Sequence, residues 1–360
     1  MQIKKKSNKL NKLFIIFFPL VLFIIIFFST TPLQAKSFKI ANLEISEEFG
    51  LNFNKENVVD KGFRKAFVEL ISMITTSGDK EKIKNIPLST IKSLIESFTM
   101  SEEKFVNNEY KTKFDVSFNK KNTLDFFERN QIFPSIPKKK QLLLIPLLVD
   151  LQLDQIFLFN NNIFYQNWNN YTESYYLLEY LLPSEDIEDI NLLLQNSKSI
   201  EDYDFKEVIK KYDLEDFVIV IIFKNKNNYR VLSKIKLEDT FKIYNQRFEK
   251  INFSNIEEIK AMIFSLKNKY EDSWKAINQI NTSIKLPLTV SINAKEYKKI
   301  QNLESVFNEL DLISSFKILN FDNQNVYYRL IYNGSPNKFI NEMTDKNIKI
   351  NTENKVWKIQ

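Results

Sequence analysis

Cysteine and histidine are both absent from the 360 residues of this chain, and only four are glycine. Without cysteine there are no disulfides, so a chain of this length must be held together by an apolar core. Without histidine there is no Ser-His-Asp or Cys-His nucleophilic machinery, no zinc site of the usual His/Cys type and no imidazole proton shuttle. The glycines Gly50, Gly62, Gly78 and Gly334 lie far apart, which excludes glycine-rich loops that cradle phosphate. Nothing in the sequence implies a cofactor or a metal.

Long apolar runs are scarce as well. The longest follows a basic stretch, Lys4, Lys5, Lys6, Lys9 and Lys12, and extends from Leu13 to Phe28 with Pro19 as its one interruption. Ser29, Thr30, Thr31 and Pro32 come next, then Leu33-Gln34-Ala35. This is the layout of an export signal, with cleavage expected after Ala35. The alternative is an uncleaved anchor, although the run falls short of the ~20 residues that span a bilayer comfortably. In both cases the lysines stay on the cytoplasmic side and the remainder is exported. The next apolar stretch, Leu142 to Val149, contains Pro146 and reads as a buried strand.

Residues 1–35 hold five lysines and no acidic residue, so the formal net charge of +6 falls to +1 without them. The basic character belongs mostly to the signal. Nucleic-acid binding needs a basic face in the mature chain, and Lys138-Lys139-Lys140 reads instead as a solvated linker.

Three modules are expected, of α+β and α/β class, at 36–136, 137–285 and 286–360. In the first, Phe38 to Ile45 alternates as a strand. Val58 to Thr76 carries Val59, Phe63, Ala66, Phe67, Leu70, Ile71 and Ile74 at helical spacing, with Gly78 as its stop. A second helix starts near Pro87. Asn107-Asn108 then turns Ser101–Val106 into Tyr110–Phe118 as a hairpin, and Asn122 caps a helix over 123–129. The second module has buried strands over 141–148 and 217–223, an exposed hairpin partner over 229–235, a strand over 240–248 and a long helix over 255–280. Helical segments are expected near 164–171, 186–195 and 205–212. The last module reads strand, helix, two strands, helix, strand: the βαββαβ order of a ferredoxin-like plait.

Two stretches bear on chemistry. Glu185-Asp186-Ile187-Glu188-Asp189 is the densest acidic run. Paired carboxylates for glycoside hydrolysis need a defined separation and divergent pKa values. The simpler reading is Ser184 as a helix N-cap with acids in the first turn. Aromatic residues crowd the stretch from Phe157 to Tyr180 among many asparagines. They read first as core packing. Tyr165, Trp168 and Tyr171 are nevertheless the place to look for a ligand surface.

Several features occur together: the signal, the Ala66–Ile71 helix, the Phe98–Phe118 hairpin with Asn108-Glu109-Tyr110, Leu144-Ile145-Pro146, Trp168 and the terminal Val356-Trp357-Lys358. In these the chain resembles the domain of unknown function 2066 family, exported proteins of the Gram-negative envelope. The middle module is similar to the amino-terminal α/β domain of the Tol translocation protein. The resemblance implies an exported, non-catalytic role and carries over no active-site residues. The expected function is that of a periplasmic binding or scaffold protein with an envelope protein or glycan as partner. The alternatives are a carboxylate-dependent hydrolase of an envelope glycan and an assembly component anchored in the inner membrane.

Overall fold

The computed structural model describes residues 37–281 and 284–360. The amino-terminal lysines, the apolar run Leu13–Phe28 and Ala35 lie outside the described residues, among which no helix is long and apolar enough to cross a membrane. Phe38–Gln360 is one unit of mixed α+β architecture, with three sheets.

The first sheet, in the order β1-β3-β2, combines β1 (Ser37–Glu48), α1 (Lys55–Ile74), α2 (Ser77–Ile83), α3 (Leu88–Leu94), β2 (Ile95–Val106), β3 (Glu109–Asn119) and α4 (Lys120–Arg129). Asn54 caps α1 by accepting the N–H of Glu56, and Val58, Phe63, Ala66, Phe67, Leu70, Ile71 and Ile74 turn one face of the helix into the core. Gly62 lets the helix approach the sheet closely: a Cβ there would stand 2.9 Å from Cε1 of the buried Phe114. Asn107 and Asn108 both take left-handed φ, 53° and 59°, and close the β2–β3 hairpin.

Two expected boundaries are corrected here. Gly78 does not stop α1, which ends at Ile74 with Thr75 as its C-cap; it lies inside α2, capped by Thr76. Asn119, not Asn122, caps α4, its Oδ1 accepting the Asn122 N–H at 3.0 Å. Strand β3 therefore passes into helix without a loop.

The second sheet runs β5-β4-β7-β8-β9, with β6 also on β4. Its elements are β4 (Lys140–Asp150), β5 (Gln155–Phe157), α5 (Ile163–Asn167), β6 (Leu178–Leu181), α6 (Ile187–Gln195), α7 (Lys206–Lys210), β7 (Phe217–Asn225), β8 (Asn228–Leu237), β9 (Thr240–Phe248) and α8 (Ile256–Ile277). Strands β4 and β7 pair in parallel at the centre and are apolar on both faces because both faces are covered. Leu142, Leu144, Val218 and Val220 pack with Ile263 and Leu266 of α8. On the other face Leu143, Ile145, Ile219 and Ile221 meet Leu193 of α6 and Val208 of α7. Strand β8 is not the exposed partner expected. It is mostly buried, since β9 pairs along its outer side.

The third sheet contains β10 (Leu286–Asn293), α9 (Tyr297–Glu309), β11 (Ile313–Phe321), β12 (Asn325–Tyr332), α10 (Pro336–Asp345), β13 (Ile350–Asn351) and β14 (Trp357–Ile359), in the order β11-β12-β10-β14-β13. The first four are the second, third, first and last strands of the plait. One direction differs. A helical crossover preserves strand direction and a hairpin reverses it, so a plain βαββαβ chain would set its last strand antiparallel to its first. Here β14 is parallel to β10, because the chain leaves α10 through the additional strand β13 and turns back once more.

Candidate functional site

Helix α8 joins the first two sheets through residues spaced by four. Lys267, Glu271 and Lys275 follow one another along one face, and they are only 2%, 1% and 6% exposed. Charged groups tolerate such burial only when each is given polar partners. Glu271 Oε1 accepts the N–H groups of Leu177 at 3.0 Å and Leu178 at 2.8 Å, holding the start of β6. Lys275 Nζ donates to the carbonyl of Ser72 in the last turn of α1. Next to this row, Asp272 Oδ1 accepts the Ser77 N–H at 2.8 Å at the beginning of α2.

Lys267 is enclosed by aromatic rings. Its Nζ lies 5.3 Å from the ring centre of Tyr180, 5.8 Å from Tyr176 and 6.0 Å from Trp168, and it donates to the Tyr171 carbonyl. Burial pulls its pKa down to about 8, a shift that Glu271 partly opposes. Burial likewise raises Glu271 above the ordinary carboxylate range, against the N–H of Leu178 and the charge of Lys275. It also lowers Lys275. Glu271 Oε2 and the Tyr180 hydroxyl are buried without a hydrogen-bond partner.

Between α1–α2 and α8 lies a polar cleft of about 180 Å³, lined by Ser72, Thr75, Ser77, Lys80, Glu81, Tyr175, Asn268, Glu271, Asp272 and Lys275. Its serine and threonine hydroxyls are committed. Ser72 donates to the Val68 carbonyl, Thr75 to that of Ile71, and Ser77 to the capping carboxylate of Asp272. The arrangement ties together three elements that are distant in sequence.

No family model matches the chain, and no curated protein matches it.

The three aromatic residues singled out in the sequence are placed differently: Trp168 is buried, whereas Tyr165 and Tyr171 are half-buried. Trp168 has no exposed area; its ring stacks on Tyr270 at 6.2 Å and meets Tyr180 edge-on at 5.7 Å. It is a core residue, because the chain after the short α5 folds under α8. Tyr165 is half-buried, packs against Phe159 and donates its hydroxyl to the Pro183 carbonyl at 2.7 Å. Tyr171, also half-buried, lies against Phe264 and under Lys260. The cation in the aromatic cage is the chain's own Lys267.

The acidic run is also organised internally. Asp186, not Ser184, caps α6 by accepting the Glu188 N–H. Lys211 Nζ reaches Asp189 at 2.7 Å and Asp186 at 3.1 Å, and Asn160 donates to Glu185 at 2.9 Å. These bonds raise the Lys211 pKa, Asp189 contributing most, and Lys211 holds Asp186 below the usual carboxylate range. Among the described residues no cluster of three or more acidic side chains is arranged to hold a metal ion.

Sequence reasoning passed over Lys267, Glu271 and Lys275. They adjoin the apolar stripe Ile259, Ile263, Leu266, Tyr270 and Trp274, and a Lys-Glu-Lys row at spacing four ordinarily reads as a solvated ion-pair face.

Proposed function

We propose that the chain is an exported protein of the cell envelope that acts by binding, as a non-catalytic partner or scaffold in the periplasm. The observation that supports this reading is the use of the charges on α8. The buried Glu271 and Lys275, and the half-buried Asp272 beside them, each secure a backbone group of another element. The resemblance to an exported envelope family points the same way. The amino-terminal segment directs export, with Ala35 as the proposed end of the signal; retention of residues 13–28 would make the same protein an inner-membrane-anchored assembly component. Mass measurement of the native protein separates these two forms.

A pull-down with the tagged full chain from its native envelope is the direct test, and a saturable protein or glycan partner is the expected result. Turnover of any member of a broad panel of glycans, peptides and esters by the purified chain, abolished by a single substitution in it, would overturn the reading.

A further inference from the structure

Unpaired sheet edges invite pairing with other chains, and folded proteins blunt them with bulges, short strands or charges. Among the described strands almost every edge is blunted. In β1, Asn42 takes φ 58° and turns its N–H to the Asp115 side chain. The register of β2 shifts twice, at Ile95/Ser97 and Ser101/Lys104, and that of β11 shifts at Ile313/Ser315 and Ile318/Asn320. Strands β5, β6 and β13 have only three, four and two residues.

Strand β9 is the exception. Its nine residues pair with β8 in unbroken register, contain no proline, and include none that is fully buried. The two-residue turn Glu238-Asp239 makes Leu237 and Thr240 a hydrogen-bonded pair. Because such pairs alternate along an antiparallel ladder, Phe241, Ile243, Asn245 and Arg247 aim their N–H and C=O groups at the free edge. The side chains of Phe241 and Ile243 are 55% and 58% exposed.

We infer that β9 is a docking edge for an extended segment of another polypeptide in which acidic and apolar side chains alternate, added to the sheet as a further strand. This deepens the binding reading and rests on it. Charge selects the occupant. Strands β8 and β9 carry Arg230, Lys234, Lys236, Lys242 and Arg247 and no carboxylate. Arg230 is neutralised by Glu201, whereas Lys236 and Arg247 form no ion pair among the described residues. Across the ladder Lys236 and Lys234 stand opposite Phe241 and Ile243. An incoming strand therefore meets apolar surface flanked by unpaired cations. Self-pairing of β9 from two copies would align cationic strands with no counter-charge.

The test uses the full chain in mild detergent and two synthetic peptides, one alternating glutamate with valine and the other lysine with valine. Ile243→Pro removes an edge N–H that the β8 ladder does not use, where proline is tolerated. Ile243→Glu keeps the backbone and puts a carboxylate on the edge that repels the glutamates of the peptide, should the proline variant fail to fold. The glutamate–valine peptide is expected to bind and to slow amide exchange at Phe241, Ile243, Asn245 and Arg247. Binding should weaken about tenfold or more in either variant and for the lysine–valine peptide. Equal binding by wild type and both variants overturns the inference. So does an absence of peptide binding at millimolar concentration, whether the chain instead sediments as a dimer that Ile243→Pro dissociates or adheres to phosphatidylglycerol vesicles. An envelope partner captured equally by wild type and Ile243→Pro removes this inference and leaves the binding reading intact.

Discussion

Lys275 Nζ donates to the carbonyl oxygen of Ser72 at 2.5 Å, across 203 residues of sequence. The acceptor lies in the last turn of α1, where carbonyls have no partner within the helix and a cation is favoured by the helix dipole. One side chain of α8 thus completes the end of a helix belonging to another sheet.

Lys275→Met removes this donor while keeping much of the side-chain volume. It is expected to lower stability by about 1–3 kcal/mol, since the Ser72 carbonyl is left unpaired and Glu271 loses a nearby counter-charge. Relief of the buried cation's desolvation offsets part of the loss. Chemical denaturation measures it, and the loss should shrink in a Glu271→Gln background, where no carboxylate requires that charge.

At Glu271 the two obvious replacements should differ in sign. Glu271→Ala leaves the N–H groups of Leu177 and Leu178 without an acceptor and is expected to cost about 2–4 kcal/mol. Glu271→Gln keeps the acceptor and cannot ionise. Burial raises the folded pKa of Glu271, so its contribution is fully present below the unfolded value of about 4.3 and falls as pH rises through the folded value. Glu271→Gln should therefore gain on wild type as pH increases above about 4. Denaturation midpoints for both proteins across that range check the prediction.

Lys267 titrates in the opposite sense. Its folded pKa of about 8 lies below the unfolded value of about 10.4. Below pH 8 both states are protonated and the fold bears the full cost of the buried ammonium. Between the two values the unfolded chain binds the proton and the folded one does not, so this group's contribution to stability rises with pH. Wild type should gain on Lys267→Met between about pH 8 and 10. Comparing the two proteins cancels the contribution of the buried tyrosines, which burial keeps protonated in the fold while those of the unfolded chain begin to ionise, and a constant difference would contradict the assignment.

Trp168→Ala is expected to cost about 3–5 kcal/mol by opening a cavity under α8. Trp168→Phe should cost far less, because the indole N–H is buried without a partner and its removal offsets part of the lost volume. Thermal unfolding of the two variants separates a core role from a surface role, in which both would be nearly neutral.

Elements with a local cause were legible in the sequence. The Asn107-Asn108 hairpin needs two left-handed residues, and asparagine supplies them. The strand over 240–248 and the helix capped by Asn255 follow from alternation and capping within a few residues. Helix starts were less legible where several capping side chains compete, as Asn119 with Asn122 and Ser184 with Asp186.

The candidate site was not legible. Core packing is the first reading of Trp168 from sequence and its burial agrees with it, but the partner it stacks on, Tyr270 of α8, follows only from the packing of α5 beneath that helix. A row of Lys267, Glu271 and Lys275 normally implies solvent.

By itself the sequence determined the absence of histidine and cysteine chemistry, the basic-then-apolar pattern of the first 28 residues, the mixed α+β class and the strand–helix order of the final plait. Each depends on composition or on contacts a few residues apart. Tertiary structure decided the direction of β14, the burial of three charges on α8 and the open edge at β9. Those depend on which distant backbone groups find partners, and local pattern does not encode that.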